Sequence, residues 1–188
     1  MPSLRTFIAF DTPPDVKAEM RDLQEQLKTS RVDVRWETID KFHATIKFLG
    51  DVDQALLPKI TAICSSIIEQ SLQFEISYQS LGCFPNKKQP RVLWIGCVNE
   101  DGRLESLKNL LDDALLPLGF EIEDRKFRPH ITLGRVKSFS NINNLLPMLE
   151  NLTFEPRKVL IQHIELMKST LRQEGSMYSI LKRIELHT

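Results

Sequence analysis

Two segments of this chain share the pattern histidine, any residue, threonine, each within an apolar run that favours β-structure. The first pattern begins at His43 and the second at His130, and a glycine follows each of them within the run. Successive side chains of a strand point to opposite faces, so each histidine should share a face with its own threonine, Thr45 or Thr132. One such pattern would mean little, whereas two in one chain predict a pair of imidazoles that face one phosphate.

The distance of 87 residues between the two histidines also relates other parts of the chain. The same shift carries segment 7–10 onto 94–97, the helical positions Met20 and Leu23 onto Leu107 and Leu110, and segment 74–80 onto 161–167. A constant shift over strand, helix and motif strand indicates an internal duplication. We therefore predict an α+β fold in which residues 1–188 form one bilobal domain. Its two lobes, each with an antiparallel-rich sheet and helices, would be related by an approximate two-fold axis, with the cleft between them. Without the duplication, each histidine would more simply be a structural residue of a strand.

Hydrophobic periodicity and turn-forming residues predict the elements of the two halves. The predicted helices run from about 13 to 30, 56 to 67, 102 to 116 and 142 to 149. Besides the two motif strands, strands are predicted at 7–10, 74–80, 91–95, 159–167 and 178–186, the last at a sheet edge. The segment 81–90 is rich in turn formers and predicts a basic loop that displays Phe84.

The composition argues against several classes of protein. Lysine and arginine number 25, as do aspartate and glutamate, so the zero net charge gives no sign of a protein that coats long nucleic acids. Three scattered cysteines without a C-x-x-C pair predict buried, reduced thiols. No H-x-H, H-E-x-x-H or cysteine cluster suggests a metal site, and no cofactor is expected. With neither a signal-peptide core nor an apolar run near the roughly 18 residues of a membrane span, we expect a cytoplasmic monomer.

Several motifs, spread over nearly the whole chain, give it a resemblance to a known family. They are HATIKFLG at 43–50, RPHITLGR at 128–135, RTFIAF at 5–10, GCFP at 82–85, VLW at 92–94, and Ser169-Thr170-Leu171 with Gly175 and Tyr178. The chain resembles the two-histidine (2H) phosphoesterases, and among them the RNA 2',3'-cyclic phosphodiesterase branch, also called 2'-5' RNA ligase. The resemblance implies a bilobal α+β fold, no metal, and hydrolysis of a terminal 2',3'-cyclic phosphate to a 2'-phosphate. Its substrates would be RNA ends or nucleotides that carry this group.

The resemblance also implies roles for the motif residues. His43 would be the general acid at the 3'-oxygen and His130 the general base for water. The residues themselves do not distinguish the two roles, because histidine supplies both protonation states near neutral pH. The hydroxyls of Thr45 and Thr132 would hydrogen-bond the nonbridging oxygens, where charge builds in the transition state.

Two cations compete for the place of phosphate ligand. Arg135 can bind phosphate in a bidentate manner, and in the resembling family an arginine at this position is associated with the site. Strict alternation nevertheless puts Arg135 opposite to Thr132, unless the strand bends or bulges at Gly134. Lys47 alternates correctly with the first histidine. We favour Arg135, and the geometry at Gly134 decides between them.

Phe84 is a candidate for stacking on a base, and neighbouring basic residues are candidates for contact with a nucleic-acid backbone. These basic residues are Lys87, Lys88, Arg125, Lys126 and Arg128. Three other functions stay open: the same site acting on small cyclic nucleotides, a 2'-5' RNA ligase, and a non-catalytic module that binds nucleotides or RNA ends. The last is disfavoured, since binding alone does not need two titratable groups.

Overall fold

The structure is a computed structural model, and it describes residues 3–172 and 175–188. Nine strands and four α-helices, besides three short 3-10 helices, are formed within these residues. In chain order they are β1 (Ser3–Asp11), α1 (Pro14–Lys28), β2 (Val34–Trp36), β3 (His43–Asp53), α2 (Leu57–Ile68), β4 (Phe74–Phe84), β5 (Val92–Val98), α3 (Arg103–Leu115), β6 (His130–Val136), α4 (Ile142–Asn151), β7 (Arg157–Ile161), β8 (His163–Arg172) and β9 (Gly175–Glu185).

The strands form two antiparallel sheets. The first sheet has the order β3-β1-β8-β9 and the second has the order β2-β6-β5-β4-β7. The predicted duplication relates β1 and β3 to β5 and β6, and it relates β4 to β8. However, β4 pairs with β5 of the second half, and β8 pairs with β1 of the first half. The first half therefore supplies β2 and β4 to the second sheet, and the second half supplies β8 and β9 to the first sheet.

A single hydrophobic core contains side chains from both sheets and all four helices. Helix α1 contributes its apolar stripe of Val16, Met20, Leu23 and Leu27, which recur at the spacing of one helical face. Strands β1 and β5 contribute alternate residues from one of their faces. The opposite faces of the two sheets carry the histidines, so the helices and the histidines lie on different sides of the sheets.

Two of the predicted strand boundaries are wrong. Segment 81–84 is not a loop, because β4 continues to Phe84 and pairs with β5 as far as Val92. The predicted strand at 159–167 is two strands, β7 and β8, which belong to different sheets. The cysteines are free and buried, as predicted. Within the described residues, no helix combines the length and the apolar character needed to cross a bilayer.

Candidate active site

Both histidine strands contain a β-bulge at the same place after the threonine. In β6, Thr132 pairs with Trp94 and Gly134 pairs with Leu93, so Leu133 is the extra residue. A bulge places two residues opposite one residue of the partner strand, so the alternation of faces resumes one position late. From residue 134 onward, each side chain of β6 therefore points to the face opposite to the one that it would occupy in a regular strand.

The same shift occurs in β3. Thr45 pairs with Ala9 and Lys47 pairs with Ile8, which leaves Ile46 as the extra residue. Ile46 and Leu133 are 87 residues apart, so the two bulges are equivalent under the duplication. As a consequence, Phe48 and Arg135 both return to the face of the histidines, and both side chains are exposed.

The bulge of β6 returns Arg135 to the face of the histidine, which strict alternation of the strand would not allow. Arg135 lies on the face of His130 and Thr132, and its guanidinium is near enough for its charge to lower the pKa of His130. The Nε atom of Arg135 is 3.6 Å from a carboxylate oxygen of Glu37, and 49% of the Arg135 side chain is exposed. Arg135 is thus held only loosely and remains accessible to an anion.

Lys47 is wrong as a phosphate ligand, because the bulge turns its side chain into the core. Its Nζ lies 2.6 Å from Oδ1 of Asp112 and donates a second hydrogen bond of 2.9 Å to the carbonyl of Glu121. Asp112, on α3, also accepts a hydrogen bond from Lys108. Burial alone would raise the pKa of Asp112, but the hydrogen bonds from the two lysines hold it below its ordinary value. The ion cluster thereby joins the first motif strand to a helix of the second half.

The buried side chain of Gln24 stabilises the bulge of β6 by hydrogen bonding. The carbonyl of Leu133, which the bulge removes from the regular ladder, accepts hydrogen bonds from Nε2 of Gln24 at 2.8 Å and from the backbone amide of Glu37 at 2.9 Å. The same amide of Gln24 donates to the carbonyl of Glu37 at 2.8 Å. A Cβ on Gly134 would lie 2.6 Å from Cγ1 of Val34, so glycine allows β2 to approach the bulge closely. The sequence prediction placed the irregularity at Gly134, and the extra residue is in fact its neighbour.

His130 is oriented by the backbone before its own strand. Its Nδ1 is 2.7 Å from the carbonyl oxygen of Arg128. Because a carbonyl oxygen can only accept, Nδ1 carries the proton, and Nε2 of the neutral ring keeps a free lone pair. The rings of Phe84 and Trp94 flank the imidazole with centroids at 5.0 and 6.4 Å. Burial lowers the pKa of His130, and the hydrogen bond to Arg128 opposes this effect.

The surroundings of His43 are more apolar than those of His130. Its ring stacks on Phe7 with centroids 5.1 Å apart, and Tyr178 meets it edge-on at 5.0 Å. Its Nδ1 is buried and has no hydrogen-bond partner among the described residues. Burial lowers the pKa of His43 to about 4, although the negative charge of Asp11 acts in the opposite direction. In the absence of an anion, His43 is therefore neutral at physiological pH.

The two histidine strands lie beside each other, and residues of both sheets meet between them. Tyr178 of the first sheet contacts His43, and burial together with the charge of Glu37 raises its pKa, while Arg135 opposes the rise. Glu37 follows β2 of the second sheet, and its carboxylate also lies 3.6 Å from Nζ of Lys41. Glu37 and Arg135, which lie on the side of the second sheet, thus act on the pKa of Tyr178, and the Tyr178 ring packs against His43.

The two histidine strands lie in two segments of the chain that match one known family of proteins. The family described as LigT like Phosphoesterase matches this chain twice, over residues 10–94 and 95–178. The two matches together cover most of the sequence and repeat the internal duplication. The chain belongs to the LigT-like phosphoesterase family.

Individual relatives of this phosphoesterase agree with that assignment. An RNA 2',3'-cyclic phosphodiesterase of Methanocaldococcus jannaschii is 34% identical over 180 residues, which cover 95% of this chain and 99% of the relative. A protein of the same name from Thermotoga maritima is 33% identical, with 95% and 93% covered. The crystal structure of Escherichia coli LigT complexed with 3'-AMP matches with a TM-score of 0.79 and 22% identity, covering 99% of each chain. The predicted family and the bilobal α+β fold are both confirmed.

Five of the six residues predicted for the site lie on the histidine faces of β3 and β6, and the sixth, Phe84, lies in a different element from the one predicted. His43 and Thr45 share one face, and His130, Thr132 and Arg135 share the other half of the site. Phe84 lies in β4 and not in a loop; its half-buried ring packs at 5.0 Å against both Trp94 and His130. It therefore forms part of the wall that holds His130, and its stacking on a base stays a prediction.

Three side chains that pack against the histidines, and one that pairs with Arg135, were missed as site residues. Phe7, Trp94 and Tyr178 belong to motifs that carry the family resemblance, and this was the signal that could have identified them. A Cβ on Gly82 would clash with the Trp94 ring, which explains a glycine beside this tryptophan. Glu37 has no recognisable motif, because its relation to Arg135 arises only from the pairing of β2 with β6.

Proposed function

We propose that this phosphoesterase is an RNA 2',3'-cyclic phosphodiesterase, which hydrolyses a terminal 2',3'-cyclic phosphate to a 2'-phosphate. The observation that carries the proposal is the pair of adjacent His-x-Thr strands with equivalent bulges, which present two imidazoles and one arginine. The names of the relatives from two organisms support the choice of substrate. The expected cytoplasmic location, monomeric state and independence of metal stay predictions.

His130 acts as the general base in this proposal. Its hydrogen bond to the Arg128 carbonyl fixes the tautomer in which Nε2 accepts a proton. Its lowered pKa keeps the ring neutral in the free enzyme near neutral pH. A neutral ring with a defined acceptor nitrogen is what the deprotonation of a water molecule requires.

His43 acts as the general acid, and the substrate helps to charge it. With a pKa of about 4 in the free enzyme, the ring carries little charge at pH 7. A phosphate anion nearby favours the imidazolium and raises the pKa towards the working pH. Binding of the cyclic phosphate therefore creates the acid that the reaction consumes.

Thr45, Thr132 and Arg135 stabilise the charge of the transition state. Each threonine follows its own histidine by two residues and shares its strand face. Both hydroxyls donate hydrogen bonds to the nonbridging phosphate oxygens. Arg135, on the same face, supplies a positively charged donor that pairs with phosphate in a bidentate manner. Because Phe48 occupies the equivalent place in the first half, the phosphate ligand is present on one side only.

The steps of the reaction follow from these positions. The oxygen of water attacks phosphorus while its proton passes to Nε2 of His130. The bond from phosphorus to the 3'-oxygen breaks, and that oxygen takes the proton of His43. The products are a 2'-phosphate and a free 3'-hydroxyl, and the two histidines exchange protonation states.

The proposal is tested with an RNA oligonucleotide that ends in a 2',3'-cyclic phosphate. Incubation with the enzyme, followed by ³¹P NMR of the product, should show a 2'-phosphate, in the presence of a chelator as well as in its absence. Hydrolysis to a 3'-phosphate would contradict the assigned leaving group, and loss of activity with the chelator that a divalent ion restores would contradict the metal-independent mechanism. Absence of hydrolysis, with the same RNA still bound, would favour the non-catalytic alternative.

A further inference from the structure

Arg35 lies directly across from Arg135 on the neighbouring strand. In the pairing of β2 with β6, Val34 is opposite Val136, Arg35 is opposite Arg135, and Trp36 is opposite Gly134. Val34 and Trp36 pack on the core, so Arg35 points to the other face, which is the face of the histidines. Arg35 is exposed, and β2 is the outermost strand of its sheet.

Two arginines at a directly opposed pair of positions repel each other, since their Cβ atoms are about 4.5–5.5 Å apart in such a pair. The carboxylate that lies near them is that of Glu37, 3.6 Å from Arg135 and equally far from Lys41. Across residues 3–172 and 175–188, no carboxylate oxygen lies within 4.0 Å of Arg35. At this edge, Arg135 and Lys41 therefore share one carboxylate, and Arg35 has no carboxylate within that distance among the described residues.

This local excess of positive charge is not a property of the whole protein. The chain carries as many acidic as basic side chains, 25 of each. A cluster of cations on a neutral protein produces a local potential that attracts an anion, and here it adjoins the site of the cyclic phosphate. The guanidinium of Arg135 is sufficient to bind that phosphate in a bidentate manner, so Arg35 is available for a second anion.

We propose that Arg35 binds the phosphodiester on the 5' side of the terminal nucleotide of an RNA substrate. This inference rests on the proposed function and specifies its substrate. In an RNA chain the next anion after the cyclic phosphate is this diester, one nucleotide away, whereas a nucleoside 2',3'-cyclic phosphate has none. Arg35 stands one strand further out than Arg135, on the edge strand of the sheet. The residue thereby makes the enzyme prefer RNA ends over mononucleotides.

The test compares Arg35→Gln with the wild type on two substrates, a tetranucleotide ending in a 2',3'-cyclic phosphate and a nucleoside 2',3'-cyclic phosphate. A lost charge-assisted hydrogen bond should raise KM for the tetranucleotide about tenfold or more and leave kcat unchanged. KM for the nucleoside should not change. The slope of log KM against log salt should fall by about 0.7 for the tetranucleotide, as expected for one phosphate contact of a single strand. Arg35→Lys should recover part of the affinity.

Arg21→Gln is the matched control, because it also removes an exposed arginine but from the outer face of α1. An equal change of KM for both substrates in Arg35→Gln, or no change for either, would overturn the inference. Equilibrium binding of a tetranucleotide with a 2'-phosphate end, compared with a nucleoside 2'-phosphate, measures the same contact without turnover. If the wild type binds these ligands but hydrolyses neither substrate, the proposed function fails while the role of Arg35 is still decided by binding.

Discussion

The two histidine strands, β3 and β6, have the same backbone geometry but different chemistry. Each has a bulge one residue after its threonine, at Ile46 and at Leu133. The residue after the bulge is Lys47 in β3, buried against Asp112, and Gly134 in β6, covered by the side chains of β2. The next residue, which returns to the site, is Phe48 in one strand and Arg135 in the other. The duplicated backbone thus places equivalent positions in the site, and the side chains at those positions differentiate the halves.

The surroundings of the histidines differ in the same way. His43 is enclosed by Phe7 and Tyr178 and has an unsatisfied Nδ1, whereas His130 is tied to the Arg128 carbonyl and lies near a guanidinium. A ring without a fixed tautomer in an apolar place responds strongly to a bound anion. A ring with a fixed tautomer presents one lone pair at all times. The asymmetry suits an acid that the substrate charges and a base that is ready beforehand.

The largest effect is expected from removal of either histidine. His43→Ala and His130→Ala should each lower kcat by about 10²–10⁴, the contribution typical of general acid or base catalysis. The residual activities distinguish the halves through their pH dependence. Loss of the acid should abolish the alkaline limb of the bell-shaped profile, and loss of the base should abolish the acidic limb. If His43→Ala instead removes the acidic limb, the roles of the two histidines are exchanged.

The next effect concerns the way in which the bulge of β3 is anchored. Asp112→Asn leaves Lys47 and Lys108 in the core without a carboxylate, which should lower the free energy of unfolding by about 3–5 kcal/mol. Chemical denaturation measures this loss. Glu75→Gln is the control, because it breaks an exposed ion pair with Lys158 and should cost below about 1 kcal/mol. Equal losses for the two variants would mean that the buried ions do not hold the first strand.

Much of the site was predictable because its residues form short, local patterns. The two His-x-Thr segments and the 87-residue shift predicted from the sequence alone the two strands that carry both histidines and both threonines. The bulges were not predictable in position, because Ile46 and Leu133 are apolar like their neighbours and leave the hydrophobic pattern unchanged. Lys47 stayed a competing candidate for the phosphate ligand for this reason. Gln24 is also invisible to local patterns, since it is 109 residues from the carbonyl that it binds.

The exchange of strands between the two halves was not predictable from the sequence either, because the hydrophobic patterns of β4 and β8 would suit either sheet. We expect residues 1–188 to fold as one unit for this reason, since each half alone lacks two strands of its sheet.

A smaller effect is expected from the protonation of His43. Its pKa is about 4 in the folded protein and about 6.5 in the unfolded chain, so the unfolded state binds more protons between these values. The free energy of unfolding should therefore decrease as the pH falls through this window, by up to about 3 kcal/mol at the lower end. His43→Asn should flatten the dependence, leaving the smaller part that His130 contributes in the same direction.

The same shift can be observed directly by NMR titration of the imidazole. Inorganic phosphate should raise the pKa of His43, because an anion favours the imidazolium. A pKa that stays near 4 with phosphate bound would contradict the view that the substrate charges the acid.

The smallest effect is expected at the bulge of β6, which is held by neutral hydrogen bonds and not by buried ions. Gln24→Leu keeps the size of the side chain but leaves the carbonyls of Leu133 and Glu37 without this donor, which should cost about 1–3 kcal/mol of unfolding free energy. Because the bulge turns Arg135 towards the site, KM for a cyclic-phosphate substrate should rise as well. Gln26→Leu, on the exposed side of the same helix, should change neither quantity appreciably. A destabilised Gln24→Leu variant with an unchanged KM would show that the backbone bond from Glu37 to Leu133 suffices to hold the bulge. In that case, Gln24 would stabilise the bulge of β6 without being needed to position Arg135.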